Sequence, residues 1–334
     1  MSAIHKIFPL GFPWLTQDPF LFCVYHQDNY PEGTETLGPD QKHLEGRPLG
    51  NDFQKKNGFR MYHGKTIPGF PYHPHRGFET ITVVNKGYCD HSDSLGAAGR
   101  FGMGDVQWMT AGRGVQHSEM FPLLHQDKPN TLELFQIWLN LPQKDKFTEP
   151  HFKMLWREDI PIVTENGTEL QLIAGTYHGN KAPSPAPNSW ANLNENEVAI
   201  WTLKLKPNST FTLPTTNATI NRTLYFYEGE QLQINQEPIK VNHGIDLNAN
   251  IKTEISTNAK SASLLLLQGK PIAEPIAQHG PFVMNTKKEI EQAFEEYRLT
   301  QFGGWPWPYA DNVHENGRGR FANYPDGTIV EKEL

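Results

Sequence analysis

The sequence predicts an all-β protein built as two barrel-like halves in tandem, with one helix near its end. Three observations carry this expectation. Short β-branched or alternating runs recur from Phe59 to Leu141, each bounded by a glycine-containing turn. A second series of such runs follows the polar, proline-flanked stretch 142–150. Only the segment that begins at Thr286 combines a helix start signal with a helical apolar repeat. The 28 Gly and 26 Pro, spread without low-complexity runs, suit many turns between short strands.

Taken in order, the first 60 residues are rich in aromatics and prolines, with an early strand expected at Phe20–Tyr25 and a long loop at Pro39–Asn51. His26 and His43 read there as packing or surface histidines. Phe78–Val84 is a strand ended by Asn85-Lys86-Gly87, with Tyr88–Asp93 expected as its hairpin partner. Gly102-Met103-Gly104-Asp105 is a turn that launches Val106–Met109. Thr131–Leu141 is the longest apolar strand, buried on both faces if the barrel closes.

In the second half, Glu169–Gly175, Thr223–Tyr227 and Ser261–Leu267 are expected strands. Ala199 to Lys206 alternates as a half-exposed strand would. Lys181–Asn188 alternates proline with small residues, which excludes regular structure and predicts an exposed loop. Thr286-Lys287-Lys288-Glu289 is a capping box, and Ile290, Ala293, Phe294 and Tyr297 then form one apolar face. Trp305-Pro306-Trp307-Pro308 is costly to leave in water, so it should dock on the body or on a second subunit.

A formal charge of −7 and a pI near 6.1 leave no basic field for a phosphate backbone, so direct nucleic-acid binding is not expected. Cys23 and Cys89 have no CxxC spacing and read as free thiols of a reducing compartment. The N-terminus lacks the apolar core of a signal peptide, and no apolar run reaches the roughly 18 residues that span a bilayer. A cytoplasmic protein is expected.

The chemistry concentrates in two donor pairs, His73-Pro74-His75 and His117-Ser118-Glu119. On an extended strand, residues i and i+2 project to the same face. Each pair can therefore point inward from its own strand of one barrel, bringing three imidazoles and a carboxylate together. Such a set suits divalent iron, and also manganese, nickel, copper or zinc. Four inward polar groups without a cation would be costly to desolvate. Glu79 is a second carboxylate candidate, since a straight strand through His75 would give it the same face; otherwise it would hydrogen-bond a ligand imidazole. Arg76 should point away.

The runs His73–Thr80, Gly104–Gly114 and His117–Met120, together with Leu139–Pro142 and Gly280–Thr286, closely resemble the signatures of the pirin family of the cupin superfamily. The resemblance implies two tandem cupin barrels, of the double-stranded β-helix or jelly-roll kind. It places an N-terminal metal-binding barrel at 1–150 and a C-terminal barrel without the metal motif at 151–285. A packing helix at 286–299 and an extended tail at 300–334 complete the chain. It implies His73, His75, His117 and Glu119 as ligands of iron and moves Glu79 away from the metal. Thr110, where many cupins carry proline, and His117, five residues after Gly112, depart from the general cupin pattern. The implied activity is that of a quercetin 2,3-dioxygenase, acting on a flavonol-like aromatic with O2, and Glu119 would be its catalytic base. The alternative is an iron-dependent redox-sensing regulator that works through a protein partner.

Overall fold

The alternating runs form strands, and Lys287–Thr300 is the sole α-helix among the described residues of this computed structural model, which describes residues 2–334. The expected all-β class with one C-terminal helix is what the chain adopts. No helix of the described residues is long and apolar enough to cross a membrane.

The chain divides into two compact units. One comprises Tyr25–Gln136, Gln143–Arg157 and Glu274–Leu334, and holds every histidine of the two donor pairs. The other comprises Met1–Val24, Ile137–Pro142 and Glu158–Ala273. Where the sequence suggested one passage near residue 150, the chain passes between the units more than once. The strands Phe20–Tyr30 and Asn130–Asn140 each begin in one unit and finish in the other.

In the histidine-bearing unit, one antiparallel sheet runs Ile329–Lys332, Arg320–Asn323, Ala98–Gly102, Tyr88–Asp93, Val115–Met120, Gly69–His75. A second sheet runs His151–Leu155, Val106–Thr110, Phe78–Lys86, Asn130–Asn140, Phe20–Tyr30. The expected hairpin between Phe78–Val84 and Tyr88–Asp93 is therefore corrected. Phe78–Lys86 pairs with Val106–Thr110, whereas Tyr88–Asp93 pairs with Ala98–Gly102 and Val115–Met120 in the other sheet. Gly87, at φ +76°, turns the chain between sheets rather than back along one. Asn130–Asn140 is the long, mostly buried strand expected.

The helix also packs in this unit. Thr286 Oγ1 accepts from the Glu289 amide at 3.2 Å while the Glu289 carboxylate accepts from the Thr286 amide at 2.7 Å, closing the capping box. Ile290 and Ala293 are buried, and Phe294 and Tyr297 join them against Phe282 and Met284. The tryptophan tail docks on this unit's own body: Trp305 stacks on Tyr72 with centroids 5.1 Å apart, and Trp307 Nε1 donates to the Asp93 carbonyl at 2.8 Å. Beyond it, Arg320–Asn323 extends the sheet by pairing with Ala98–Gly102.

The other unit has a seven-stranded sheet ordered Ile4–Pro9, His243–Asn248, Asn221–Glu228, Ala262–Gly269, Ala199–Leu205, Thr168–Ala174, Ile162–Glu165. Its interior is apolar, with Leu172, Leu203, Leu224, Phe226, Leu264 and Leu266 all fully buried. Ala199–Leu205 is not half-exposed as expected, because only Lys204 reaches solvent. Ile200 is apolar, and Thr202 is buried with its hydroxyl donating to Gln171 Oε1 at 3.0 Å, so neither needs water. The Lys181–Asn188 loop is largely irregular but not wholly exposed, since Ala182 and Ala186 are buried. Both cysteines are free and buried.

Candidate metal centre

The strands that carry the two donor pairs are direct neighbours. Gly69–His75 pairs antiparallel with Val115–Met120, with His73 opposite His117 after a register shift between Phe70 and His73. Alternation then sets His75 on the face of His73. The three rings meet, with centroid separations of 4.8 Å for His73–His75, 4.5 Å for His73–His117 and 4.9 Å for His75–His117. One nitrogen from each lies within 4.8 Å of the others, an arrangement that can hold a metal ion. His75 and His117 are buried and His73 is half-buried.

Backbone carbonyls orient two of the rings. His73 Nδ1 lies 2.9 Å from the Pro71 carbonyl, and His75 Nδ1 lies 3.3 Å from that of Pro281. A carbonyl only accepts, so each ring carries its proton on Nδ1 and its lone pair on Nε2, the tautomer a metal ligand needs. His117 has neither constraint. Both of its ring nitrogens are buried without a hydrogen-bond partner. Such a group is costly unless something else satisfies it.

Burial holds all three imidazoles neutral. It lowers the pKa of His73 to about 4 and pushes those of His75 and His117 well below the usual range, with the neighbouring histidines adding repulsion. Neutral imidazole is the form that binds metals. The donor chemistry and the two unpartnered nitrogens of His117 therefore fit a divalent cation.

Glu119 follows His117 on the same face, with its Oε2 3.8 Å from His117 Nε2. Thr82 Oγ1 donates to Oε1 at 2.8 Å and Gln136 Nε2 donates to Oε2 at 2.6 Å. Burial raises the carboxyl pKa, and these hydrogen bonds with His91 only partly oppose the shift. Glu79 sits elsewhere in the hydrogen-bond pattern. Gly77, at φ +86°, breaks the strand after His75, and Glu79 resumes opposite Thr110 in the other sheet. Its Oε1 accepts from Thr110 Oγ1 at 2.7 Å and from Trp108 Nε1 at 3.1 Å. Thr110, the departure from the cupin pattern, is thus one of the groups that hold this carboxylate. Arg76 turns away, donating to Glu296 at 2.8 Å and to the Arg113 carbonyl.

Four further residues around the centre were not singled out from the sequence: His91, Thr82, Gln107 and Gln136. His91 lies opposite Glu119 in the sheet, its ring centroid 5.6 Å from that of His117. Gln107 Nε2 is 3.1 Å from its Nδ1 and Asp93 Oδ2 is 3.1 Å from its Nε2. The one available signal was a polar residue inside an otherwise apolar strand, as at Thr82 and Gln136.

Comparison with known proteins bears on this geometry. The Pirin family profile matches residues 36–139, and the Pirin C-terminal cupin domain profile matches residues 200–303. The chain is 38% identical over 240 residues to the Pirin-like protein of Solanum lycopersicum, covering 70% of this chain and 77% of that one. It belongs to the pirin family. Human Pirin is 31% identical over 282 residues, covering 81% of this chain and 91% of its own. Among solved structures, one described as quercetin 2,3-dioxygenase from Acinetobacter baumannii superposes with a TM-score of 0.70 at 27% identity, covering 90% of this chain and 96% of that one. For a pirin-family chain, the two β-rich units are the expected cupin folds, and the histidine cluster falls within the matched N-terminal profile.

Proposed function

We propose that this chain is a non-haem iron protein of flavonol dioxygenase type, in which His73, His75, His117 and Glu119 hold Fe(II). The observation that carries the reading is the buried cluster of three neutral imidazoles, one with both nitrogens unpartnered, beside a carboxylate of raised pKa. The likeness to a structure described as a quercetin 2,3-dioxygenase supports the choice of substrate class. Iron held by those residues would supply Lewis acidity toward an enolic oxygen and redox chemistry with O2.

The protein's own part is positioning and proton transfer. Glu119 accepts the 3-hydroxyl proton of the flavonol, for which a carboxylate of raised pKa is a better base than an ordinary one. Thr82 and Gln136 hold that carboxylate at the cluster's edge. The Pro71 and Pro281 carbonyls keep His73 and His75 in one tautomer through the cycle. The central ring of the flavonol is cleaved with loss of carbon monoxide.

Oxygen uptake and carbon monoxide release by anaerobically iron-loaded protein, with and without quercetin, test the reaction. The flavonol should drive both. A Glu119→Gln variant that still carries iron should lose roughly 100-fold or more in kcat, the size of general-base contributions. Unchanged turnover in that variant removes Glu119 as the base. Absence of flavonol-dependent uptake in the wild type removes the dioxygenase reading.

A further inference from the structure

The residues that flank the clustered histidines point the other way, and one later segment of the chain holds them. Alternation along a strand sets neighbouring side chains on opposite faces. Tyr72, beside His73, stacks on Trp305 with centroids 5.1 Å apart. Arg76, beside His75, donates to Glu296 Oε2 at 2.8 Å. Ser92, beside His91, accepts from Asn312 Nδ2 at 2.9 Å. Gln116, beside His117, is held at both ends of its amide. Tyr297 Oη donates to its Oε1 at 2.9 Å, and its Nε2 donates to the Gln301 carbonyl at 2.6 Å. The segment from Glu296 to Asn312 therefore backs the face opposite the donors, and all of these contacts lie within one compact unit.

Gln116 matters most because of what His117 lacks. The Pro71 and Pro281 carbonyls fix the rings of His73 and His75, whereas neither nitrogen of His117 has a hydrogen-bond partner among the described residues. A donor ring without such a contact is aimed by its main chain and by the packing around it. Gln116 anchors that main chain. Its carbonyl accepts from the Ser94 amide at 2.8 Å, and its own amide donates to Ser94 Oγ at 3.0 Å. It lies opposite Pro74, the residue between His73 and His75. The clamp on its side chain is itself tied together, since Gln301 closes the helix at φ +50° with its amide donating to the Tyr297 carbonyl. Phe302, next along, sits on Gly114, where a Cβ would stand 2.7 Å from its ring. Gln116 is fully buried, so an amide deprived of these partners could not turn to water instead.

We infer that Gln116, clamped by Tyr297 and the Gln301 carbonyl, is a positioning residue for a cation at the histidines, and does for His117 what the two proline carbonyls do for His73 and His75. Groups that orient a ligand from outside commonly change metal affinity by roughly 10–100-fold. The inference rests on the proposed cation at the histidines, but on neither the identity of that cation nor the flavonol reaction.

Anaerobic titration of the full chain with Co(II), followed by visible absorption, tests this, because the d–d bands report both occupancy and coordination geometry. Tyr297→Phe removes one hydroxyl and should weaken Co(II) binding roughly tenfold, and Gln116→Leu should weaken it roughly 10–100-fold. Each should also shift the d–d bands of the bound ion. Thr286→Ala is the control, since it removes the capping box at the far end of the same helix. It should lower Tm while leaving Co(II) affinity and bands as in the wild type. Tyr297→Phe keeps the test available where Gln116→Leu fails to fold. Wild-type affinity and bands in whichever of these two variants fold overturn the inference. So does an equal loss of Co(II) affinity in Thr286→Ala, which would reduce the clamp to general stability. A wild type that binds no Co(II) overturns the metal reading itself, and this inference with it.

Discussion

Replacing His117 by leucine should reverse its effect on stability according to whether metal is present. In the metal-free protein the imidazole is fully buried and neither nitrogen has a hydrogen-bond partner. Each such polar atom costs about 1–3 kcal/mol, while an apolar side chain of similar volume carries no such penalty. Allowing for imperfect shape, His117→Leu should leave metal-free protein no less stable, and up to about 2 kcal/mol more stable, which is roughly 4–8 °C in Tm for a unit of this size. With Fe(II) under anaerobic conditions, or Mn(II) as a redox-inert stand-in, the wild type should gain stability and the variant should gain much less. Differential scanning calorimetry of both proteins, with chelator and with one of these metals, gives all four values. A metal-free variant that loses more than about 1 kcal/mol would show that His117 behaves as an ordinary packed core residue. Equal metal-induced gains in both proteins would place the cation elsewhere.

Two other predictions concern the same region. Metal-free protein should lose stability as pH falls from about 6.5 toward 4, because burial lowers the His73 pKa from 6.5 to about 4 and those of His75 and His117 move the same way. The neutral form is favoured in the folded state, so this contribution is complete above the unfolded pKa and lost through the folded one; for His73 alone it amounts to at most about 3 kcal/mol. Glu119 acts oppositely, since its raised pKa favours the folded state at lower pH and offsets part of the loss. Urea unfolding at several pH values checks the slope, and a stability independent of pH across this window contradicts it. Gly77→Ala should cost roughly 3 kcal/mol or more, because φ is +86° and a Cβ there would stand 2.0 Å from the Val283 carbonyl oxygen. Since Gly77 follows His75 by two residues, metal affinity should fall with it; an unchanged Tm would show that the turn relaxes freely.

Much of the centre was legible because strand alternation is a local property. His73 and His75 declare a shared face through two-residue spacing, and His117 does so with Glu119, but it is the pairing of the two strands that brings the three imidazoles together. The capping box of the helix was legible for the same reason, being contained in Thr286–Glu289. Pairing partners were not. Asn85-Lys86-Gly87 looks alike whether it closes a hairpin or turns the chain between sheets, so the sequence alone suggests the wrong neighbour for Tyr88–Asp93. His91 escaped because its relation to the site is a cross-strand register with Glu119, which no spacing along the chain encodes. The place of Glu79 is not legible in the sequence, since an inward position needs a straight strand and the chain breaks at Gly77. The burial of Thr202 was likewise hidden, because its hydrogen-bond partner Gln171 comes from a distant segment.

The most direct test is the metal content of the full chain after anaerobic loading with Fe(II) and removal of free ion, compared with a His73→Ala/His117→Ala double variant. Convergence of the three imidazoles with Glu119 on a common cation predicts a single iron per wild-type chain and none in a folded double variant. A wild type that retains no iron, or a double variant that retains as much as the wild type, contradicts it.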